Sequence, residues 1–166
     1  MLIRHTRPEE IDLVMPLYDI ARSFMRSTSN EVQWIDGYPD RTQIEEDIAL
    51  GNHYLCEADG DIAAVFTLIF GNDPTYQYIE GAWLNDNPYG TLHRIASSGK
   101  HQGVLGEILQ YCFGKTDNLR IDTHKDNAPM LHLMQKYGFT RCGVIYVSNG
   151  TPREAFQKTV ATSSKQ

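Results

Sequence analysis

The fold is decided by residues 92–112, LHRIASSGKHQGVLGEILQYC, which begin with a short apolar segment and end in a helical pattern. The apolar segment, residues 92–96, predicts a strand, and a turn rich in Ser, Gly and Lys follows it. The apolar residues Val104, Ile108, Leu109 and Cys112 then recur at helical spacing. This stretch therefore predicts a strand, a glycine-containing loop and a helix in direct succession.

This succession of elements can bind a phosphate group at the start of the helix. The first N–H groups of a helix have no partner within it, and the helix dipole favours negative charge near them. Residues 87–106 contain no Asp or Glu, although the chain has a net charge of −6, and they include Arg94 and Lys100. Two interpretations remain open at this point, a phosphate-binding loop or an ordinary connection before a surface helix.

Length and composition favour one domain. With 166 residues, 41% of them hydrophobic, the chain is long enough for one packed core and too short for two. We expect one domain over residues 1–160 and a solvated tail over residues 161–166. The acidic balance argues against nucleic acid as a partner, because a nucleic-acid-binding surface needs a basic stripe. A cationic or small neutral ligand fits this charge better.

The cysteines and the hydropathy of the chain indicate its cellular setting. Cys56, Cys112 and Cys142 are odd in number and far apart, so they predict neither a disulfide framework nor a zinc site. No apolar run approaches the roughly 20 residues that span a bilayer, and the N-terminus has no apolar signal segment. These features predict a cytoplasmic protein that does not bind a membrane.

The first part of the chain predicts a strand and two helices. Residues 1–5 predict an edge strand, and a helix should follow from an N-cap at Thr6 to about residue 25, with a kink at Pro16. Residues 26–40 form a long loop that contains Trp34 and Tyr38, and loops of this length are usually functional or mobile. A second helix is predicted over residues 41–50.

The remainder alternates strands with two further helices. Three antiparallel strands are predicted at residues 53–57, 62–70 and 76–84, before the strand at 92–96. After the helix of the opening stretch, residues 119–123 predict a strand parallel to the one at 92–96, joined to it by a helical crossover. A short helix at residues 128–137 and a final hairpin, 139–147 with 153–158, complete the chain.

This order of elements resembles that of the GNAT superfamily of acyl-CoA-dependent N-acyltransferases over nearly the whole chain. One motif that carries the resemblance is the family's pyrophosphate loop: Arg or Gln, two residues, Gly, one residue, then Gly or Ala. Residues 100–106, KHQGVLG, occupy that place. Lys100 stands where the family has Arg or Gln, and Leu105 stands where a small residue is usual, with Gly106 one position later.

A second motif lies downstream in residues 127–139, NAPMLHLMQKYGF. It resembles the family's Asn-x-x-Ala signature followed by Leu-Tyr-x-Lys-x-Gly-Phe, with Met130 in the Ala position. Met134 occupies the Tyr position, and in many family members that Tyr protonates the leaving thiolate. Because Met cannot donate a proton, the usual general acid is absent.

The resemblance implies an α+β fold with three α/β/α layers and a mixed, mostly antiparallel sheet, in which the parallel strands 92–96 and 119–123 splay apart. The pantetheine arm of acetyl-CoA would pair with the backbone exposed by the splay, as an inserted strand would. Its pyrophosphate would bind the N–H groups of residues 101–106, with Lys100 as an added cation. The residues expected to bind acetyl-CoA are His93, Ile95, Lys100, His101, Gly103, Val104, Leu105, Gly106, Asn127 and Met130. For Asn127, a helix N-cap is an equally good interpretation, and both roles are compatible.

Acyl transfer to an amine also needs a base for the amine and a proton for the thiolate. Tyr137 is the candidate acid, although packing beside Phe139 explains its position at least as well and water can also supply the proton. Glu80 is the first candidate base. Asp122, His93 and His124 are alternatives, because all of them lie near predicted strand ends.

Aromatic residues are the candidates for the acceptor pocket, either as its walls or as a cage for a cation. They are Trp34, Tyr38, Tyr78 and Trp83, with Asp122 beside them, although aromatic residues are core residues first. No metal site is expected, because the spacing of His124 and His132 matches no metal-binding pattern.

The sequence leaves more than one function open. The first is an N-acetyltransferase that moves an acetyl group from acetyl-CoA directly to the primary amine of a small molecule. The second, which Met134 favours, is a non-catalytic acyl-CoA-binding or sensing module on the same fold. A phosphate-binding enzyme unrelated to the family is disfavoured, because the glycine loop lacks a Gly-Lys-Ser/Thr ending. A homodimer is compatible with the resemblance.

Overall fold

The computed structural model describes residues 1–161, which form eight strands and four α-helices. The tail predicted at residues 161–166 lies outside the described residues, apart from Ala161. The strands are β1 (Leu2–His5), β2 (His53–Ala58), β3 (Asp61–Phe70), β4 (Glu80–Gly81), β5 (Gly90–Ser97), β6 (Asn118–Thr123), β7 (Thr140–Tyr146) and β8 (Pro152–Thr159). The α-helices are α1 (Ile11–Ser27), α2 (Arg41–Ala49), α3 (Val104–Phe113) and α4 (Ala128–Lys136).

All eight strands belong to one mixed sheet with the order β1-β2-β3-β5-β6-β8-β7-β4. The neighbours β5 and β6 are parallel, and the helix α3 connects them, as predicted. They pair over two residues each, Gly90 with Leu119 and Thr91 with Arg120. Beyond Thr91 the two strands separate, so the edge of β5 that faces β6 has no strand partner in the described structure.

The helices cover the two faces of the sheet. Leu55 and Val65 pack with α1 and α2 on one face, whereas their neighbours Cys56, Ala64 and Phe66 pack with α3 and α4 on the other. Since successive strand residues point to opposite faces, this alternation places the sheet between two helical layers. The predicted three-layer α/β/α arrangement is confirmed.

The prediction of a strand at residues 76–84 is wrong. The segment begins with a 3₁₀ turn, Pro74–Tyr76, in which the Asp73 carboxylate accepts the N–H of Thr75 at 2.8 Å. Only β4 is extended, and it pairs with β7 at the far edge of the sheet instead of with β3. Tyr76 and Trp83 pack against each other with tilted rings, whose centroids are 5.0 Å apart, so their apolar pattern reflects a local aromatic cluster and not a strand.

The start of the first helix also differs from the prediction. Thr6 does not cap the helix, because its hydroxyl lies 2.7 Å from Nδ1 of the buried His53. The chain instead enters α1 through a 3₁₀ turn, where the Glu10 carboxylate accepts the N–H of Arg7 at 2.8 Å. Pro16 lies inside α1, near its N-terminus, and the kink there stays a prediction.

Candidate active site

A cleft of about 380 Å³ lies where β5 and β6 separate, and its size suits a small ligand or part of a larger one. The long loop between α1 and α2, the β7–β8 turn and the start of α4 complete its walls. The structure brings seven of the candidate site residues to this cleft: Trp34, Tyr38, His93, Ile95, Asp122, Asn127 and Met130.

A bulge in β5 shapes the floor of the cleft. Between His93 and Ala96, β5 has one residue more than the strand β3 with which it pairs. Arg94 lies in this bulge and adopts a left-handed conformation with φ of 49°. The Arg94 guanidinium donates two hydrogen bonds to the carboxylate of Asp47, at 2.8 and 2.9 Å, and a third to the hydroxyl of Tyr38 at 3.0 Å. A left-handed non-glycine residue costs of order 1 to 3 kcal/mol, and the buried ion pair holds it in place.

His93 and Asp73 form a hydrogen-bonded pair at the cleft. Nε2 of His93 lies 3.0 Å from Oδ2 of Asp73. Although burial by itself raises the pKa of Asp73, the hydrogen bonds from His93 and Thr75 lower it to about 2. Asp73 is therefore ionised near neutral pH, and its charge places the imidazole hydrogen on Nε2. Nδ1 then carries a lone pair, and it has no hydrogen-bond partner within residues 1–161.

Asp122 lies in the same cleft on β6. Its Oδ1 accepts a hydrogen bond of 2.6 Å from the hydroxyl of Tyr76, which is completely buried. Burial raises the pKa of Tyr76 well above its ordinary value, so this hydroxyl stays protonated and keeps donating. The second oxygen, Oδ2, has no partner in the described residues, which leaves it free to accept from a ligand.

Gln33 fixes the long α1–α2 loop against the cleft, and sequence reasoning missed it. Its Oε1 lies within 3.0 to 3.2 Å of four donors, which are the side chains of Asn30, Thr123 and Asn127 and the N–H of His124. Asn127 also accepts the N–H of Met130, at 3.2 Å, as the N-cap of α4. The N-cap interpretation of Asn127 is confirmed, and its amide group is already engaged by Gln33.

Replacing Gln33 by Leu is expected to lower the free energy of unfolding by about 2 kcal/mol or more, because several donors around it are buried and would lose their acceptor. Urea denaturation measures this difference. Gln110→Leu is the matched control on the exposed face of α3, where the same change should stay within about 0.5 kcal/mol. Equal values for the two variants would contradict the assigned role of Gln33.

The loop before α3 presents a row of free backbone donors. The N–H groups of Gly99 and Lys100 bond the hydroxyls of Ser97 and Ser98, at 3.1 and 3.2 Å. The next six N–H groups, of residues 101–106, have no hydrogen-bond acceptor in the described structure. Gly103 caps the helix in the left-handed conformation, with φ of 69°. The side chains of Val104 and Leu105 are buried in the core, so these two residues offer only their backbone to a ligand.

Three predicted site residues lie away from the cleft. Glu80 is on the edge strand β4, where its exposed carboxylate accepts a hydrogen bond from Tyr146 at 2.7 Å, so the structure does not place it as a base. Tyr78 is 63% exposed beside Tyr146. Trp83 stacks on Arg120 and donates to the carbonyl of Tyr76, so it is held half-buried against the cluster of Tyr76 and Tyr89. The failed strand prediction at residues 76–84 misplaced all three.

The candidate acid Tyr137 also lies outside the cleft lining. A Cβ atom on Gly106 would lie 2.8 Å from the Tyr137 hydroxyl, so this hydroxyl packs against the first turn of α3. Met134, at the family's Tyr position, is completely buried in the core. The alternative base His124 is buried too, and its Nδ1 accepts the N–H of Asp126 at 3.0 Å.

Comparison with solved structures identifies the family. A GNAT-family acetyltransferase from Streptococcus agalactiae is 36% identical in sequence and has a TM-score of 0.87, with 96% of this chain and 95% of that chain covered. The chain therefore belongs to the GNAT family of acetyltransferases, and it is an acyltransferase. No protein-family model matches the sequence, and no curated protein matches it.

More distant structures share the fold. The ribosomal-protein-alanine N-acetyltransferase of Brucella melitensis is 17% identical with a TM-score of 0.61, over 96% of this chain and all of that one (100%). Ard1 of Thermoplasma volcanium is 16% identical with a TM-score of 0.62, over 96% of this chain and 97% of that one. In the described residues, no helix is long and apolar enough to cross a membrane. The same residues contain no cluster of three or more metal-binding side chains.

Proposed function

We propose that the protein transfers an acetyl group from acetyl-CoA to the primary amine of a small molecule. The single observation that supports this most is the position of the His93–Asp73 pair at the splay between β5 and β6, beside a loop of free backbone N–H groups. The His93–Asp73 pair suits the removal of a proton from an amine, and the loop suits the binding of a pyrophosphate.

The residues present fit acetyl-CoA. The six free N–H groups of residues 101–106 would bind the pyrophosphate, with Lys100 as a nearby cation, and the unpaired edge of β5 at Ile95 would bind the amides of the pantetheine arm. Met130 lines the cleft close to this edge. Acetyl-CoA supplies an activated thioester, whose carbonyl carbon accepts the amine and whose sulfur is the leaving group.

The amine has to lose a proton before it can attack, because it is protonated near neutral pH. In the proposed mechanism the free Nδ1 of His93 takes this proton, while Asp73 holds the imidazole and stabilises the positive charge that forms on it. Asp122 attracts the protonated amine into the cleft through its free Oδ2. The new C–N bond then replaces the C–S bond, the attacking nitrogen gives its second proton to water, and the thiolate departs.

For the leaving thiolate we propose water as the proton source. A thiol with a pKa near 8.5 is a fair leaving group as its anion. Met134 cannot donate a proton, and the Tyr137 hydroxyl faces Gly106 instead of the cleft.

Tyr137→Phe is therefore expected to keep its kcat within about tenfold of wild type, since a true general acid contributes 10²-fold or more. Steady-state kinetics with saturating acetyl-CoA measures this. A loss of a hundredfold, with unchanged folding and acetyl-CoA affinity, would show that Tyr137 is the acid and that the water-assisted step is wrong.

Binding of acetyl-CoA tests the proposal independently of turnover. We expect a dissociation constant in the micromolar range by calorimetry and a raised melting temperature, because a ligand that binds only the folded state stabilises it. The absence of any shift at millimolar acetyl-CoA would remove the cofactor assignment. A homodimer and a cytoplasmic location stay predictions.

A further inference from the structure

Arg153, at the start of β8, is a buried arginine in the wall of the cleft, with 5% of its surface exposed. Two other buried arginines have different surroundings. Arg94 binds the Asp47 carboxylate. Arg120 lies between the rings of Trp83 and Tyr89, which also enclose its Nε, an atom without a partner in the described residues, and it does not line the cleft. Arg153 has no carboxylate within hydrogen-bond distance in residues 1–161.

The hydrogen bonds of Arg153 all go to neutral oxygen atoms. Its Nη1 donates to the Thr151 hydroxyl and to the Pro152 carbonyl, both at 3.0 Å, and its Nη2 donates to the Gln33 carbonyl at 3.1 Å. A guanidinium has five N–H donors, so Nε–H and one Nη2–H have no acceptor in the described structure. Nε and Nη2 form one edge of the guanidinium, and this edge can bind both oxygens of a carboxylate at once.

A buried positive charge without a counter-ion is costly, and a ligand that supplies the negative charge removes that cost. Burial lowers the pKa of Arg153, against the opposing effect of Asp122. Asp122 lines the same cleft as Arg153, and its Oδ2 is free. The cleft therefore offers an unpaired cation and an available carboxylate oxygen within one small volume.

We propose that the acceptor is a free amino acid, whose carboxylate binds the Nε–Nη2 edge of Arg153 while its amine is directed to Asp122 and His93. This inference rests on the proposed function, since it names the substrate class of the same site. A zwitterion of this kind matches both charges of the cleft. The N-terminal residue of a protein does not match both charges, because its carboxyl group forms an amide bond and carries no negative charge.

The test compares each free amino acid with its own carboxamide as acceptor, with acetyl-CoA and wild-type protein, by the release of the CoA thiol. The two compounds differ only in the group that would meet Arg153. We expect kcat/KM for the best free amino acid to exceed that for its carboxamide by about a hundredfold or more. Carboxamides that react as well as the acids would overturn the inference and leave the proposed function standing.

Variants of Arg153 test whether this residue causes the preference for free amino acids over their carboxamides. In Arg153→Met, kcat/KM for the amino acid should fall by about a hundredfold, mainly through KM, and the ratio of acid to carboxamide should approach one. Arg153→Lys keeps the charge without the two-pronged edge, so it should recover part of the preference. Arg141→Met, on the exposed part of the same hairpin, is the matched control and should keep the full preference.

The two proposals fail in different ways. An unchanged acid-to-carboxamide ratio in Arg153→Met and Arg153→Lys, with both variants folded by circular dichroism, would overturn the assignment of Arg153. If other primary amines release the thiol but neither acids nor carboxamides do, the amino-acid assignment fails and the proposed transfer reaction stands. If no primary amine releases the thiol while acetyl-CoA still binds, the proposed transfer reaction fails as well.

Discussion

His93→Gln is expected to lower kcat by about a hundredfold or more with little change in the affinity for acetyl-CoA. The Gln amide can still donate to Asp73, but it cannot take a proton from the amine, so the variant removes the base and keeps the hydrogen bond. General bases contribute 10²- to 10⁴-fold to such steps. Steady-state kinetics at saturating acetyl-CoA measures kcat, and calorimetry measures the affinity for acetyl-CoA.

The control for this prediction is His132→Gln, an exposed histidine on α4. It should keep kcat within about twofold of wild type. Asp73→Asn extends the test, because a neutral amide no longer stabilises the charged imidazole, and a loss of tenfold or more is expected. If kcat of His93→Gln stays within about threefold of wild type, His93 is not the base and its pairing with Asp73 is structural.

The second large effect is expected from Gly103→Asp, which should weaken acetyl-CoA binding by about thirtyfold or more. Gly103 has φ of 69°, a conformation that costs other residues roughly 1 kcal/mol or more. An added Cβ would meet no protein atom within 4 Å, so the side chain would lie in open space beside the backbone that is proposed to bind the pyrophosphate. The carboxylate would then repel the phosphates as well. Calorimetric titration with acetyl-CoA measures the effect.

Two variants calibrate this result. Gly60→Asp makes the same change at a left-handed glycine, φ of 79°, in the β2–β3 turn, so it should affect stability but leave acetyl-CoA affinity unchanged. Lys100→Ala removes an exposed charge and should weaken binding about fivefold or less. A larger loss in Lys100→Ala than in Gly103→Asp would mean that charge, and not the backbone of the loop, holds the cofactor.

The parts of the fold that were predictable from the sequence are those with a strong local signal. The helix α3 follows from the spacing of its apolar residues. The crossover from β5 to β6 follows from the rule that parallel neighbours need a long connection. The order of the elements and the two motifs at residues 100–106 and 127–139 carried the resemblance to the family. That resemblance implied the three α/β/α layers and the splay.

The segment at residues 76–84 shows where sequence reasoning fails. Its alternating apolar residues are typical of a strand, but Tyr76 is completely buried through its contacts with Trp83, Tyr89 and Asp122. Tertiary packing of this kind outweighs a weak preference for extended backbone. The one usable signal was Asp73-Pro74, since Asp caps a turn and Pro favours its first position.

The chemistry of the site depends on contacts between residues distant in sequence, so the sequence could name candidates but not pairs. His93 was a candidate base, yet its partner Asp73 is 20 residues away and became visible only in the structure. Gln33 and Arg153 are separated by 120 residues and carry no motif. Their importance comes from burial and from which atoms have partners, and neither property can be read from residue identity.

The most direct test of acetyl transfer is the release of CoA thiol from acetyl-CoA by the wild-type protein, measured with and without a panel of primary amines that includes free amino acids. We expect thiol release that depends on an amine, stoichiometric formation of the N-acetylated product by mass spectrometry, and loss of both in His93→Gln. Tight binding of acetyl-CoA without thiol release in the presence of any amine of the panel would contradict the proposed transfer. It would support a non-catalytic acyl-CoA-binding module.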